Sequence, residues 1–226
     1  MAYTKRIVCF ANSYKTGGSC IAGKDMDSGA WVRPVSDRPT EELSFFEYCY
    51  EGYKSPKLLD IIDVPLLKAL PHDHQTENHL INKERWTRKG ALPWGDLEQF
   101  RDQPATLWAN TDSTKGGGVY DCISPQIAAK YDYSLVLIRR KKLTVEVGTS
   151  TWDGRTKKTY RGGFKYKDIH YSFKITDPVA RAAFKNKDVG EYELNDVYLC
   201  LSLTEPYKED GRCHKLIAAV VTDPPL

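Results

Sequence analysis

The sequence predicts a mainly β fold of two small barrels with short helices. Three observations carry that expectation. Short apolar runs rich in Val, Ile, Leu and aromatic residues recur along the whole chain, as strands do. Turn signals stand between them, at Thr16-Gly17-Gly18, Asp27-Ser28-Gly29 and the Asp112–Gly118 stretch DSTKGGG. Each half of the chain holds about the number of strands that a five-stranded Greek-key barrel needs.

In the first half, Lys5–Ser13, Ser19–Lys24, Ala30–Ser36 and Leu58–Ala69 read as strands. Pro34 suggests an edge or a bulge in the third of these. Glu41–Tyr53 is acidic and aromatic and reads as a short helix or a loop, and Trp94–Ala105 has helical spacing. Ser124 is placed to cap a short helix with Pro125 at its first position. The second half opens with two strands, SLVLIRR and KLTVEVG, then a loop over Gly148–Gly154 and a hairpin. A short helix follows Asp177-Pro178, and the last strands are Asp196–Thr204 and His214–Thr222. The count suits an OB-type barrel. The expected domains are therefore residues 1–118, an OB-like barrel with a polar insertion, and residues 133–226, an OB-like barrel with a basic aromatic hairpin.

The chain has 226 residues, enough to bury a core without staples. Its net charge of +3 hides a segregation. Tyr133–Lys174 carries 11 Lys/Arg against 3 Asp/Glu, a balance of +8, while the flanking segments carry −2 and −3. A local basic block points to an anionic partner. None of the six cysteines has a CxxC spacing. No apolar run approaches the ~18 residues of a membrane span, and no signal-peptide pattern opens the chain. The expectation is a cytoplasmic protein with reduced thiols and no membrane association.

The hairpin region Arg155–Pro178 interleaves rings and cations. Side chains on a strand alternate between faces, so rings can point one way and cations the other. Rings that stack on bases beside cations that meet phosphates make a single-strand platform. Tyr160, Arg161, Phe164, Lys165 and Tyr166 are the expected contacts. Phe164 and Tyr166 share a face, with Tyr160 joining them unless Gly162-Gly163 forms a bulge. The bland alternative is a hairpin with a buried aromatic face. Trp31 and Arg33, two apart on a strand, form a second stacking pair. Arg33 could instead pair with Asp60 or Asp63. Arg85, Trp86, Arg88, Lys89, Trp94 and the later Trp108 make a further aromatic-basic region that could equally close the barrel mouth as core.

His72, His74 and His79 cluster with Asp73, Glu77 and Asn78. The HxH spacing on an extended segment would put two imidazoles on one side, but the spacings of a strong zinc motif are missing. The preferred reading is a polar loop without metal, with His74 as a ligand contact. The phosphate-loop, dinucleotide and nucleophile-elbow patterns also fail.

Seven stretches resemble the bacterial dual OB-containing domain family, in order along the chain. They are RIVCFANS at Arg6–Ser13, CIAGK at Cys20–Lys24, WVRPVS at Trp31–Ser36, LLDIIDVPL at Leu58–Leu66, HQTEN at His74–Asn78, FKITDP at Phe173–Pro178 and KLIAAVV at Lys215–Val221. The resemblance implies two OB-like barrels and, through the fold alone, nucleic-acid or nucleotide recognition. The family's second half carries an Arg-rich hairpin where this chain has Arg161 followed by Gly162-Gly163. The expected function is recognition of single-stranded nucleic acid or a nucleotide, without catalysis or cofactor. The alternatives are a nucleotide-directed hydrolase or transferase using His72, His74 and Glu77, and an adaptor for a protein partner.

Overall fold

The short apolar runs form strands in the expected order, and each half of the chain closes them into a ring. A computed structural model describes residues 2–15 and 17–226, so Thr16 of the first expected turn lies outside the described residues. Contacts divide the chain into one unit of Met1–Arg101 with Asp132–Ser134, and a second of Asp102–Tyr131 with Leu135–Leu226. The sequence expectation gave residues 102–118 to the first barrel; their contacts are with the second unit.

In the first unit β1 (Tyr3–Lys15), β2 (Gly18–Asp25) and β3 (Trp31–Val35) form an antiparallel meander. The four-residue helix α1 (Phe45–Tyr48) follows, then β4 (Asp60–Ala69), β5 (Asn78–Ile81) and β6 (Thr87–Ala91). β4 pairs antiparallel with both β1 and β5, and β5 pairs parallel with β3. The five strands thus return on themselves, and β6 extends the sheet beside β4. Pro34 is not on an edge strand: β3 lies between β2 and β5. The proline is tolerated because pairing with β2 is confined to Trp31 and Val32, so no ladder bond is asked of its nitrogen. Ile7, Cys9, Ile21, Val32, Ile62 and Trp86 lie in the core. The helix expected over Trp94–Ala105 is a 3-10 turn, Trp94–Phe100, that buries Leu97 and Phe100; Pro104 bars its continuation.

The second unit repeats the circuit. It opens with β7 (Cys122–Ile123) and α2 (Pro125–Ala128), where Ser124 accepts the Ile127 N–H as the expected cap. β8 (Leu135–Trp152), β9 (Arg155–Tyr166) and β10 (Ile169–Ile175) form the meander. α3 (Pro178–Ala183) leads to β11 (Gly190–Pro206) and β12 (Cys213–Val221). β11 pairs antiparallel with β8 and β12, and β12 pairs parallel with β10. SLVLIRR and KLTVEVG are one strand, not two, and the expected loop over Gly148–Gly154 is strand as far as Trp152. The tetrad Arg139–Lys142 reads as a break, yet β11 supplies carboxylates across the ladder: Arg139 pairs with Asp196 at 2.7 Å and Lys142 with Glu193.

Register runs through Gly162 and Gly163 without a bulge, so Tyr160, Phe164 and Tyr166 do share the inner face. Gly162 faces inward with them. A Cβ there would stand 2.3 Å from Ile217 Cδ1 and 2.9 Å from Leu143 Cδ1. The glycine admits those side chains to the barrel interior. Asp177 caps α3 through the N–H groups of Val179 and Ala180, and its other oxygen accepts the Val220 N–H at 2.8 Å. Burial pushes this carboxyl upward, against the three N–H donors that pull it down.

Lys215 occupies an inward position of β12 and is fully buried. Its ammonium donates to Ala109 O at 2.7 Å and lies 5.9 and 5.8 Å from the ring centres of Tyr171 and Phe173. Burial lowers its pKa from 10.5 to about 8, with Cys122 and Asp121 pulling the other way. A lysine pKa depressed by folding means that the unfolded chain binds more protons between those values, so stability rises with pH across that window. Relative to Lys215→Met, the unfolding free energy of the wild type is expected to climb by about 3 kcal/mol between pH 8 and 10.5. Urea unfolding at several pH values measures it, and a flat difference would show that the ammonium is not desolvated.

Candidate nucleic-acid interface

β8 and β9 run on past the barrel as a hairpin whose tip is the turn Asp153-Gly154. Where this hairpin, β10, α3 and the β11–β12 loop meet, they frame a groove of about 620 Å³. Arg155, Lys157 and Lys158 of β9, Lys174 of β10 and Arg181 of α3 line it. Among the described residues that line it, Asp153 and Glu209 are the carboxylates, so five cations face two anions. Arg155, Lys157 and Lys174 are exposed, and among the described residues their side chains meet no carboxylate. Arg155 and Lys157, two apart, project on one side of the strand about 7 Å from each other. Lys158 is committed: its ammonium donates to the carbonyls of Lys185 and Lys187 just after α3.

Two rings line the same groove. Tyr160 is 7% exposed, with the Arg181 guanidinium 5.6 Å above its ring. Tyr207 is 52% exposed and braced. It packs edge-to-face on His214 at 5.7 Å, and its hydroxyl reaches Glu209 at 3.3 Å. The loop that carries it is closed by Tyr207 N–H to Arg212 O and Gly211 N–H to Tyr207 O. Nearby Glu209, ahead of burial, pushes the Tyr207 phenol up, so it stays neutral at ordinary pH. The groove thus joins cations without anionic partners to one fixed, open aromatic face.

Of the hairpin residues expected to make contact, only Tyr160 lines this groove. Phe164 is buried, stacked on Tyr171 at 5.7 Å and edge-on to Phe173 at 5.4 Å. Tyr166 is buried, and its hydroxyl donates to Pro104 O at 2.6 Å. Arg161 points outward, where Asp121 and Ser172 hold it; Asp121 in turn accepts from Thr114 N–H and hydroxyl, both at 2.7 Å. Lys165 is exposed and paired with Asp168 at 2.9 Å. The alternation was read correctly, but the barrel keeps the ring face for its own core.

In the first unit, Trp31 is half-buried against Phe10 at 6.1 Å, with the Lys24 ammonium 5.2 Å from its ring centre. Arg33 is buried, and its partner is Glu77 at 2.9 Å rather than Asp60 or Asp63. It also donates to Ser134 Oγ at 2.7 Å and to Asn78 Oδ1 at 3.4 Å. Asp60 and Asp63 are taken by Arg88 and Arg6. Trp86 is core. The HxH segment is a tight turn rather than an extended strand. His72 bridges to Gln75, and Asp73 sits at a φ of 48°. As a result His74 is buried while His72 is exposed and near Asp73 at 3.6 Å. Among the described residues, no three His, Cys, Asp or Glu side chains gather as a metal set.

Arg155, Lys157, Lys158 and Lys174 belong to the basic run that the sequence displays. Arg181 and Tyr207 were missed; their only signal is position, on the helix and loop that flank an OB barrel's binding face.

Two barrels on the same five-strand circuit, one with a basic groove between its first hairpin and its last loop, define an OB-type binding module. The chain belongs to the dual OB-containing domain family, whose sequence model matches residues 5–220. No curated protein and no solved structure matches it.

Two substitutions separate framework from interface. Phe164→Ala is expected to cost about 3–5 kcal/mol in urea unfolding, as loss of a buried ring does. Arg33→Ala strands Glu77 as an uncompensated buried charge, at about 3–5 kcal/mol. Unchanged unfolding for either would mean that its side chain is not part of the core.

Proposed function

We propose that the protein binds single-stranded nucleic acid through the groove of its second barrel. The observation that carries this reading is the pairing of Arg155, Lys157 and Lys174, exposed and without carboxylate partners, with the open, braced ring of Tyr207. Phosphates meet the cations and an unstacked base meets the ring. A duplex offers no such base, so the groove favours single strands. The position also supports it, because OB barrels present ligands to the face between the first hairpin and the last loop. The volume lies within the ~300–1,000 Å³ of small-ligand sites, so a nucleoside phosphate is the narrower form of the same reading.

Titration of a labelled oligothymidylate and an oligouridylate into the folded protein tests it. Saturable binding is expected, with the logarithm of the affinity falling linearly with the logarithm of salt by about 0.7 per phosphate contact. Arg155→Ala and Lys157→Ala should each flatten that slope by about one such contact. Tyr207→Ala should cost about 1–3 kcal/mol with the slope unchanged. Absence of saturable binding at low salt, on the order of the 10⁻⁴–10⁻⁶ M of non-specific binders, rejects the proposal. Tighter binding of free nucleoside phosphates than of either oligomer moves the reading to nucleotide recognition.

A further inference from the structure

The groove of the second unit holds one group that phosphate binding leaves unexplained. Glu209 lines it among the cations and is exposed. Its hydrogen-bond partner is the Tyr207 hydroxyl at 3.3 Å, and among the described residues no Lys or Arg forms an ion pair with it. The neighbouring Asp210 is differently employed. It accepts the Arg212 N–H at 3.1 Å, and its two oxygens lie 3.2 and 3.0 Å from His214 Nε2. Asp210 therefore holds the loop together, while the Glu209 carboxylate is left open to the groove. A carboxylate repels phosphate, so its place beside the one open ring calls for a ligand group that donates hydrogen.

The position of Glu209 decides which donor it meets. The Tyr207 phenol, kept neutral by the nearby carboxylate, donates to one of its oxygens. A carboxylate has about four lone-pair sites, so most stay open. They lie at the hydroxyl rim of the Tyr207 ring, where the edge of a base stacked on that ring arrives. Unstacked bases are read by hydrogen bonds along their Watson–Crick edges. Guanine presents two adjacent donors there, N1–H and the N2 amino group, which match the two oxygens of a carboxylate as a fork. Adenine and cytosine offer one amino group beside an acceptor nitrogen. Thymine and uracil flank their one N–H with two carbonyl oxygens, which a carboxylate repels.

We propose that Glu209 makes the groove selective for guanine, its carboxylate accepting from N1–H and the N2 amino group of a base stacked on Tyr207. This deepens the reading of the groove as a single-strand site, on which it rests. The full-length protein is titrated with labelled pentathymidylate and with pentamers whose central thymine is replaced by guanine, adenine or hypoxanthine. Adenine controls for the stronger stacking of a purine, and hypoxanthine keeps N1–H but lacks the amino group. Guanine is expected to bind about fivefold to a hundredfold more tightly than adenine, the worth of one bidentate base contact, with hypoxanthine between them. Glu209→Ala should bring guanine to within about twofold of adenine, the bidentate contact being gone, and should strengthen pentathymidylate, because an anion has left the groove. A merely structural role for Glu209 would instead weaken all four pentamers alike. The proposal is overturned if guanine and adenine bind equally, if hypoxanthine binds as guanine does, or if Glu209→Ala keeps the preference. Equal saturable binding of all four removes the role of Glu209 and leaves the single-strand reading standing, whereas no saturable binding by any of them rejects both. Guanosine monophosphate binding more tightly than the guanine pentamer, and than adenosine monophosphate, keeps the guanine contact and assigns it to a free nucleotide.

Discussion

The second barrel is closed by two residue pairs, Lys174 with Leu216 and Ile175 with Ile217, where β10 lies parallel to β12. A parallel pairing cannot be made by a hairpin; the chain must first travel around the barrel through α3 and β11. The closure is therefore made by distant parts of the sequence, and the residues beside it are built to hold it. Thr176 N–H donates to Ile217 O at 2.9 Å, and Asp177 ties the start of α3 to Val220. Without this seam β10 would be an edge, and so would β12 beyond its short pairing with β7. α3, which carries Arg181 and receives Lys158, would lose its anchorage. The first barrel repeats the device with three pairs, Arg33 to Val35 of β3 against Asn78 to Leu80 of β5. There Arg33 and Asn78, directly opposite in register, also share the buried polar network of Glu77 and Ser134. In both barrels buried polar groups stand at the seam, where bonds with fixed partners specify one register among those that apolar packing would tolerate.

Period-two alternation then divides the labour along β9. Within the barrel, Tyr160, Gly162, Phe164 and Tyr166 face inward, and the missing side chain at Gly162 makes space for Ile217 and Leu143. Beyond it the strand has no interior to serve, and Arg155, Thr156 and Lys157 are all exposed. The same strand is thus core at one end and basic and solvent-exposed at the other. Lys158 marks the transition, since its ammonium satisfies carbonyls at the end of α3, where the helix dipole favours a cation.

Much of the fold was legible because strands announce themselves by apolar runs and turns by Gly and Asp. The caps Ser124 and Asp177, the order of the apolar strands and the family pattern all read directly from the chain, whereas the short strands β5 and β6, in a stretch read as polar and basic, were not expected. Three further things did not read directly. The join across Arg139–Lys142 depends on Asp196 and Glu193, which lie more than fifty residues later, so a charged run that looks like a break is a paired strand. The partner of Arg33 is likewise non-local: Glu77 arrives through the parallel pairing of β3 and β5, which no local pattern encodes. Finally, the ring-and-cation pattern at Tyr160–Tyr166 has two solutions with the same sequence signature, rings toward a ligand or rings toward a core. Barrel closure chooses the second, and the sequence does not display closure. The groove residues Arg181 and Tyr207 come from the helix and the loop around that closure, and they were missed for the same reason.

The two barrels share a circuit but not an electrostatic character. In the second, the cations of β9 and α3 line a groove with two acids. In the first, the segment between the third and fourth strands is acidic and aromatic, and the cations on β4's flank are consumed, Arg88 by Asp60 and Lys89 by Asp63. Fold alone assigns neither a function, because an OB barrel is a frame. What distinguishes the two is which charges the frame leaves without partners. Net charge conceals this: a total of +3 is the residue of a strongly basic segment offset by acidic flanks. The groove of the second unit gathers such cations in one place, and charge arranged in this way governs specificity and encounter rate more than raw affinity.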